Sequence, residues 1–193
     1  MHIFITGSSS GIGLAITEKF LKEGHAVTGF DKNPSAINHP NYVHYIGDVR
    51  DKETYPEIEP VDILINNAGV QGDDDIAVNL KGVIDITERY GIHESVKAVL
   101  MIGSASAHSG SEFPEYAASK GGVLAYTKNV ALRIAQYGAT CNSLDFGGDV
   151  LKSLRILAKG YGAFLNIGAG NNDFQHIHRF FLKSFNNLYI VFH

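Results

Sequence analysis

The sequence predicts an α/β fold in which one doubly wound parallel sheet carries helices on both faces. Apolar segments of strand length alternate with segments of helical periodicity along most of the chain. Several strand segments are apolar at nearly every position, as strands covered on both faces should be. At 193 residues, 45% of them hydrophobic, the chain suits one well-buried domain, and two full domains would be a tight fit.

Six segments have the composition and length of strands. In chain order they are HIFITG (2–7), HAVTGF (25–30), YVHYIG (42–47), VDILINN (61–67), KAVLMIG (97–103) and ATCNSLDF (139–146). Helices are predicted between them where apolar residues recur every three or four positions. The clearest stripes are Ile12, Ile16 and Phe20 before Gly24; Ile76, Leu80, Val83 and Thr87; and Val123, Thr127, Val130 and Ile134 before Gly138.

The turn between the first strand and the first helix consists of small residues, TGSSSGIG (6–13). In a β-α-β unit this turn meets the amino end of a helix, where unpaired N–H groups attract a phosphate. Gly7 would allow the sharp turn, Gly11 the close approach of a diphosphate, and Gly13 close packing of helix on strand. Because a tight loop can use the same residues for geometry alone, the turn indicates a dinucleotide site only together with other features.

A carboxylate, Asp31, follows the second strand. At this edge of the sheet it would accept hydrogen bonds from the hydroxyls of an adenosine ribose and repel a 2′-phosphate, which favours NAD over NADP. Lys32 could pair with such a phosphate, so NADP stays open as the less favoured cofactor. The alternative interpretation is that Asp31 forms a simple turn with Asn33-Pro34.

A tyrosine and a lysine, Tyr116 and Lys120, stand four residues apart in YAASK (116–120). On a helix this spacing places both side chains on one face, so their polar ends can converge. A nearby ammonium favours the phenolate form of a tyrosine. The pair is therefore suited to acid–base catalysis near neutral pH.

Further motifs stand in a characteristic order: the glycine turn, Asp31, GDV (47–49), NNAG (66–69), VNLKG (78–82) and YAASK. On these motifs the first 148 residues resemble the short-chain dehydrogenase/reductase family. The resemblance implies a three-layer Rossmann-type fold and hydride transfer between a nicotinamide cofactor and an alcohol or ketone. A 3-oxoacyl thioester, as used by 3-oxoacyl-(acyl-carrier-protein) reductases, is one candidate substrate.

The resemblance also implies site residues. Tyr116 would exchange a proton with the substrate oxygen, and Lys120 would assist it and hold the nicotinamide ribose. Ser104 would hydrogen-bond the substrate oxygen, with Ser106 as the second choice, although either could be a loop serine that satisfies backbone groups. Asn79 would keep a water and a proton path to Lys120. The implied cofactor-binding residues are Gly7, Ser9, Ser10, Gly11, Ile12, Gly13, Asp31, Asp48, Val49, Asn67, Ala68, Gly69, Tyr116 and Lys120.

Charge and composition argue against several classes of protein. A net charge of −4 gives no general attraction to nucleic acid or to anionic lipid, so we expect neither partner. Cys141 is the only cysteine, which favours a buried thiol over a disulfide or a metal site. No signal-peptide pattern and no run of membrane-spanning length is found, which predicts a cytoplasmic protein.

The resemblance implies a homo-oligomer, a dimer or tetramer. His108 is interpreted as a solvated loop histidine.

The composition changes after residue 148. The segment CNSLDFGGDV (141–150) has Phe146 where the family has proline, and no threonine follows. Residues 149–193 contain no glutamate and no proline and are rich in aromatic residues, asparagine and histidine.

We interpret residues 1–148 as the cofactor-binding domain and residues 149–193 as a divergent tail, from an altered reading of the gene or another lineage-specific replacement. A divergent terminus with NLYIVFH (187–193) as its last strand is the alternative. Since the replaced part would close over the substrate, we expect turnover to suffer more than cofactor binding. A non-catalytic dinucleotide-binding or sensor protein is the second functional hypothesis.

Overall fold

The computed structural model describes residues 1–145 and, as backbone only, two short strands later in the chain. Each of the six predicted strands is present, with ends shifted by at most two residues. The six are β1 (His2–Thr6), β2 (Ala26–Asp31), β3 (Tyr42–Ile46), β4 (Ile63–Asn66), β5 (Ala98–Ile102) and β6 (Thr140–Asp145). The remainder of the predicted tail, 149–193, lies outside the described residues, as does Phe146.

The six strands form one parallel sheet in the order β3-β2-β1-β4-β5-β6, which confirms the predicted doubly wound fold. The chain starts at β1, moves outward to β3, and then returns to place β4 beside β1. Between β1 and β4, the direction in which successive strands are added to the sheet reverses. In such sheets, ligands bind at this point, outside the carboxyl ends of the strands. The two later strands extend the sheet: β7 (Phe164–Ile167) runs antiparallel to β6, and β8 (Ile190–Val191) parallel to β7.

Helices cover both faces of the central strands. They are α1 (Gly11–Lys22), a π-helical segment (Ile76–Gly82) that continues into α2 (Val83–Tyr90), α3 (Ser106–Ser109) and α4 (Pro114–Ile134), with short 3-10 turns at Lys52–Thr54 and Ala135–Tyr137. In the part of the chain that the structure describes, no helix combines the length and apolar character needed to cross a membrane.

The core has two halves because side chains of a strand alternate between faces. Ile3 and Ile5 of β1 pack on one face with Ile16 of α1, whereas Phe4 packs on the other with Ile86 of α2. Cys141 on β6 is fully buried, as expected, and burial raises the pKa of its thiol.

The edge strand β3 is less well covered than its neighbours. The connection from β2 to β3 contains no helix, and Val43 and Ile46 are 52% and 63% exposed. Helical cover on both faces therefore holds for the central strands but not for this edge.

The apolar stripe predicted from Ile76 to Thr87 is only partly present. Val83 and Thr87 are buried, but Ile76 is 40% exposed and Asn79 is fully buried in the same segment. The reason is the π-helical start of the helix, whose wider turns rotate a different set of residues toward the core. This rotation brings Asn79 into the interior.

Candidate active site

A cleft of about 690 Å³ opens at the carboxyl edge of the sheet. Sites for small molecules and cofactors occupy roughly 300–1,000 Å³, so the size is suitable. Loops after β1, β2, β3 and β4 form its wall. The predicted cofactor-binding residues that line it are Gly7, Ser10, Gly11, Ile12, Asp31, Asp48, Val49, Asn67, Ala68 and Gly69.

The glycine turn has the geometry that its residues predict. Gly7 and Gly11 adopt left-handed backbone angles, with φ of 69° and 54°. A Cβ placed on Gly11 would meet no atom within 4 Å, so this side of the turn is open. A Cβ on Gly13 would lie 2.0 Å from the Gly7 carbonyl oxygen, which shows that Gly13 serves close packing rather than the cleft wall.

The side chain of Asn67 supports the same turn. Its Nδ2 donates to the carbonyl oxygens of Thr6 and Gly7, at 3.1 and 2.9 Å. Asn67 therefore fixes the carbonyl groups of the turn in addition to lining the cleft.

Asp31 forms the turn that the sequence left open as the alternative, and it also lines the cleft. Its carboxylate accepts hydrogen bonds from the backbone N–H of Ser9 at 3.0 Å and of Asn33 at 2.9 Å, so it does form a turn. A carboxylate has about four acceptor positions, so capacity remains for further donors. Asp31 and Lys32 both line the cleft.

An ion-pair cluster that the sequence did not predict lies in the wall of the cleft, between the loops after β3 and β4. Arg50 contacts Asp48 at 2.6 Å and Asp74 at 2.6 Å, and thereby links the loops after β3 and β4. The hydrogen bonds from Arg50 hold the pKa of Asp48 below its usual value. The Asp48 carboxylate is thus already paired.

Tyr116 and Lys120 come together on α4 as their spacing predicts. The Lys120 Nζ lies 5.7 Å from the centre of the Tyr116 ring and donates to the Ile102 carbonyl oxygen at 2.9 Å. Lys120 is only 6% exposed, and burial lowers its pKa to about 8, against the opposing charges of Asp145 and Asp75. A Cβ on Gly69 would be 3.7 Å from this Nζ, so the lysine adjoins the cleft.

Asn79 occupies the π-helical segment, a feature that is frequent at functional sites. Its Oδ1 accepts from the Val70 N–H and its Nδ2 donates to the Val70 carbonyl, both at 2.8 Å. The same Nδ2 lies 3.2 Å from Asp75 Oδ1 and 3.3 Å from Ser119 Oγ. The side chain is therefore fixed beside Gly69, between the cleft and the helix that carries Lys120.

The two serine candidates form a hydrogen-bonded pair after β5. Ser104 Oγ donates to Ser106 Oγ at 3.1 Å and accepts from the Ser106 N–H at 3.2 Å. Both side chains are buried. The Ile102 carbonyl, which accepts from Lys120, is two residues before Ser104. Ser104 therefore remains the first choice for the serine that hydrogen-bonds the substrate oxygen.

Two acidic residues near Lys120 escaped the sequence analysis. Asp75 and Asp145 are both buried, at 1% and 0% exposure. The interpretation of His108 as a solvated residue is only partly right: 48% of its side chain is exposed, but its Nε2 lies 2.8 Å from Asp145 Oδ2. A carboxylate at the end of a buried strand, as in NSLD (142–145), was the available signal for Asp145.

Comparison with known proteins agrees with this geometry. The sequence pattern of the short chain dehydrogenase family matches residues 1–149. The 3-oxoacyl-(acyl-carrier-protein) reductase FabG of Buchnera aphidicola is 30% identical over 174 residues, which cover 75% of this chain and 71% of that protein. The 2-(R)-hydroxypropyl-CoM dehydrogenase of Xanthobacter autotrophicus is 29% identical over 177 residues, covering 72% and 71%.

A solved structure shares the fold. The 3-ketoacyl-(acyl-carrier-protein) reductase of Brucella melitensis, crystallised in complex with NADH, superposes with a TM-score of 0.67 at 22% identity and covers 76% of this chain and 74% of its own. The family match includes every residue that lines the cleft, and also Tyr116, Lys120 and the end of β6. The chain therefore belongs to the short-chain dehydrogenase family of oxidoreductases.

Proposed function

We propose that this protein is an NAD-dependent oxidoreductase that transfers hydride between the nicotinamide and an alcohol or ketone. The observation that carries the proposal is the buried cation of Lys120, 5.7 Å from the ring of Tyr116 and adjacent to the cleft at Gly69. A buried charge that is costly to maintain is typical of a catalytic site.

The residues of the cleft fit a dinucleotide. The open side of Gly11 lies at the start of α1, where N–H groups can receive a diphosphate. The remaining acceptor positions of Asp31 suit ribose hydroxyls, and its charge opposes a 2′-phosphate, which supports NAD. When bound, the nicotinamide supplies or accepts the hydride. The Brucella melitensis relative was solved with NADH, which adds support.

The side chains of this chain divide the remaining work. In reduction, the Tyr116 hydroxyl donates a proton to the substrate oxygen and becomes the phenolate; in oxidation, the phenolate accepts a proton from the alcohol. Ser104 Oγ hydrogen-bonds the same oxygen. The Lys120 ammonium favours the phenolate and binds a ribose hydroxyl, while Asn79, fixed by Val70, keeps a water-mediated proton path to the lysine.

Substrate class, assembly and location are proposals of the same kind. The names of the two curated relatives, a reductase and a dehydrogenase, support a ketone or alcohol, with a 3-oxoacyl thioester as one candidate. We propose a cytoplasmic homo-oligomer, a dimer or tetramer. Leu132 of α4, 78% exposed, is an apolar group that such an interface would cover.

A paired experiment tests the function. Calorimetric titration with NADH measures cofactor binding, and loss of NADH absorbance with diketones and acetoacetyl thioesters measures turnover. We expect clear NADH binding and measurable but slow reduction. Absence of NADH binding would contradict the proposal, and rapid turnover would contradict the expected impairment by the tail.

The second candidate is a dinucleotide-binding or sensor protein without catalysis. Phe146 in place of the family's proline, together with the missing threonine, favours it, although these positions lie outside the described residues. NADH binding with no reduction of any substrate in the panel would select this alternative.

A further inference from the structure

A buried carboxylate at the end of β6 has no role in the chemistry above. Asp145 has no exposed surface. Its Oδ2 lies 2.8 Å from Nε2 of His108, and its Oδ1 accepts from Ser143 Oγ at 2.7 Å. Because an ionised carboxylate is costly to bury without partners, these two contacts account for its place in the interior.

The backbone of Gly103 packs directly against the same carboxylate. A Cβ on Gly103 would lie 1.8 Å from Asp145 Oδ1 and 2.5 Å from Ser143 Oγ, so only glycine permits this approach. Asp145 therefore contacts the chain on both sides of Ser104: at Gly103, one residue before it, and at His108, four residues after it.

The segment that carries Ser104 is also restrained by its neighbours: the Gly103 N–H donates to the Leu144 carbonyl at 2.9 Å, and helix α3 packs against α4. Helix α3 (Ser106–Ser109) is a single turn, held by local bonds such as Ala107 N–H to the Ser104 carbonyl at 3.0 Å. One helical turn is not stable in isolation. A long-range contact such as that of His108 with Asp145 therefore contributes to fixing it.

We propose that Asp145 and His108 are positioning residues that hold residues 103–109 so that Ser104 Oγ meets the substrate oxygen on which Tyr116 acts. The inference rests on the proposed function, because it assigns the pair a task in that reaction. Displacement of a hydrogen-bonding group by about 1 Å can lower a rate about 100-fold. Neither residue of the pair needs to touch the substrate.

The charge of Asp145 also reaches the other half of the site. It opposes the effect of burial on the pKa of Lys120, as does the charge of Asp75. The Asp145 carboxylate thus acts on residues 103–109 by direct contact and on Lys120 by its charge.

Hydrogen exchange tests the positioning directly. In His108→Ala, the amide hydrogens of residues 107–110 should exchange about tenfold faster, because one charge-assisted hydrogen bond is lost. His108→Gln, whose side-chain amide can donate to Asp145, should restore most of the protection. The matched control is His93→Ala: His93 lies before β5 and contacts Ser95 and the Tyr90 carbonyl. This variant should leave residues 107–110 unchanged.

A double-mutant cycle tests the route through Ser104. His108→Ala should lower kcat about tenfold in the wild-type background, and less than twofold in Ser104→Ala, because the serine is then already absent. The affinity for NADH should not change. A tenfold loss in both backgrounds would overturn the inference.

The two arms separate this inference from the proposed function. If the wild-type protein reduces no substrate, the proposed function fails, and the exchange arm alone decides whether Asp145 and His108 fix the segment. Unchanged exchange at residues 107–110 in His108→Ala would overturn the positioning role whatever the activity.

Discussion

The two ends of the cleft are built differently. At the end proposed for the adenosine and diphosphate, called the adenosine end below, the turn at Gly7 and Gly11 offers backbone groups, and the side chain of Arg50 is 44% exposed in its ion pairs. At the reaction end, Lys120 and Asn79 are buried at 6% and 0% exposure. In the proposed complex, backbone groups of the first end hold the diphosphate and Asp31 the ribose, whereas the second end acts through charged and polar groups held inside the protein. Substitutions at the two ends should therefore affect different properties.

The largest effect is expected at the reaction end. Tyr116→Phe removes the proton donor but keeps the ring, so kcat should fall about 1,000-fold, within the range of general acid–base catalysis. Calorimetry should show the NADH dissociation constant within twofold of wild type. If the variant kept more than a tenth of the activity, Tyr116 would not be the acid–base group.

At the adenosine end, shape should matter most. In Gly13→Ala the new Cβ would lie 2.0 Å from the Gly7 oxygen, so the turn must move. We expect the free energy of unfolding to fall by about 2–3 kcal/mol and NADH affinity to fall with it. Chemical denaturation measures the first effect. The matched control, Gly11→Ala, meets no atom and should lose only about 1 kcal/mol from its left-handed backbone. Equal losses of unfolding free energy in Gly13→Ala and Gly11→Ala would contradict this explanation.

Lys120→Met should abolish turnover yet stabilise the protein. Burial shifts the lysine pKa from 10.5 to about 8, which corresponds to a cost of about 3 kcal/mol for holding the charge. The substitution also destabilises the protein by about 1 kcal/mol, because the Ile102 carbonyl loses its donor. The variant should therefore be about 2 kcal/mol more stable at pH 7 by denaturation.

The pH dependence of that difference follows from its sign. Between pH 8 and 10.5 the unfolded chain retains the Lys120 proton and the folded protein releases it, so wild-type stability rises with pH. The advantage of Lys120→Met should be complete below pH 8 and disappear toward pH 10.5. An advantage that grows with pH would show that folding raises the pKa of Lys120 instead of lowering it.

The smallest effect is expected in the choice of cofactor. Asp31→Asn removes the charge that opposes a 2′-phosphate but keeps an acceptor oxygen, so the ratio of NADPH to NADH affinity should rise about tenfold, or about 1.4 kcal/mol. Titration with both cofactors measures it. Lys32→Gln is the control: if Lys32 pairs with the 2′-phosphate, this variant lowers the affinity for NADPH and leaves the affinity for NADH unchanged. An unchanged ratio in Asp31→Asn would leave the preference for NAD without a basis.

Local sequence patterns were sufficient for the sheet and for the conformation of the glycine turn. The alternation of strand and helix segments predicted all six parallel strands, because each is defined by consecutive residues. The turn at Gly7 and Gly11 was equally local, since glycine is the residue that tolerates the left-handed backbone there.

The reaction end was only partly predictable. The spacing of Tyr116 and Lys120 placed them together on one helix, but the contact of His108 with Asp145 joins residues 37 positions apart, and no short pattern encodes it. The π-helical segment escaped for a related reason: periodicity analysis assumes a regular turn, whereas the burial of Asn79 depends on its bonds to Val70. Long-range packing determines these features.

We propose that Tyr116 and Lys120 face the nicotinamide end of a dinucleotide bound in this cleft. A crystal structure of the protein soaked with NADH tests it most directly. We predict the adenosine beside Asp31 and Asp48, and a nicotinamide ribose hydroxyl within hydrogen-bond distance of the Lys120 Nζ. An empty cleft, or a Tyr116 hydroxyl turned away from the bound cofactor, would contradict the account.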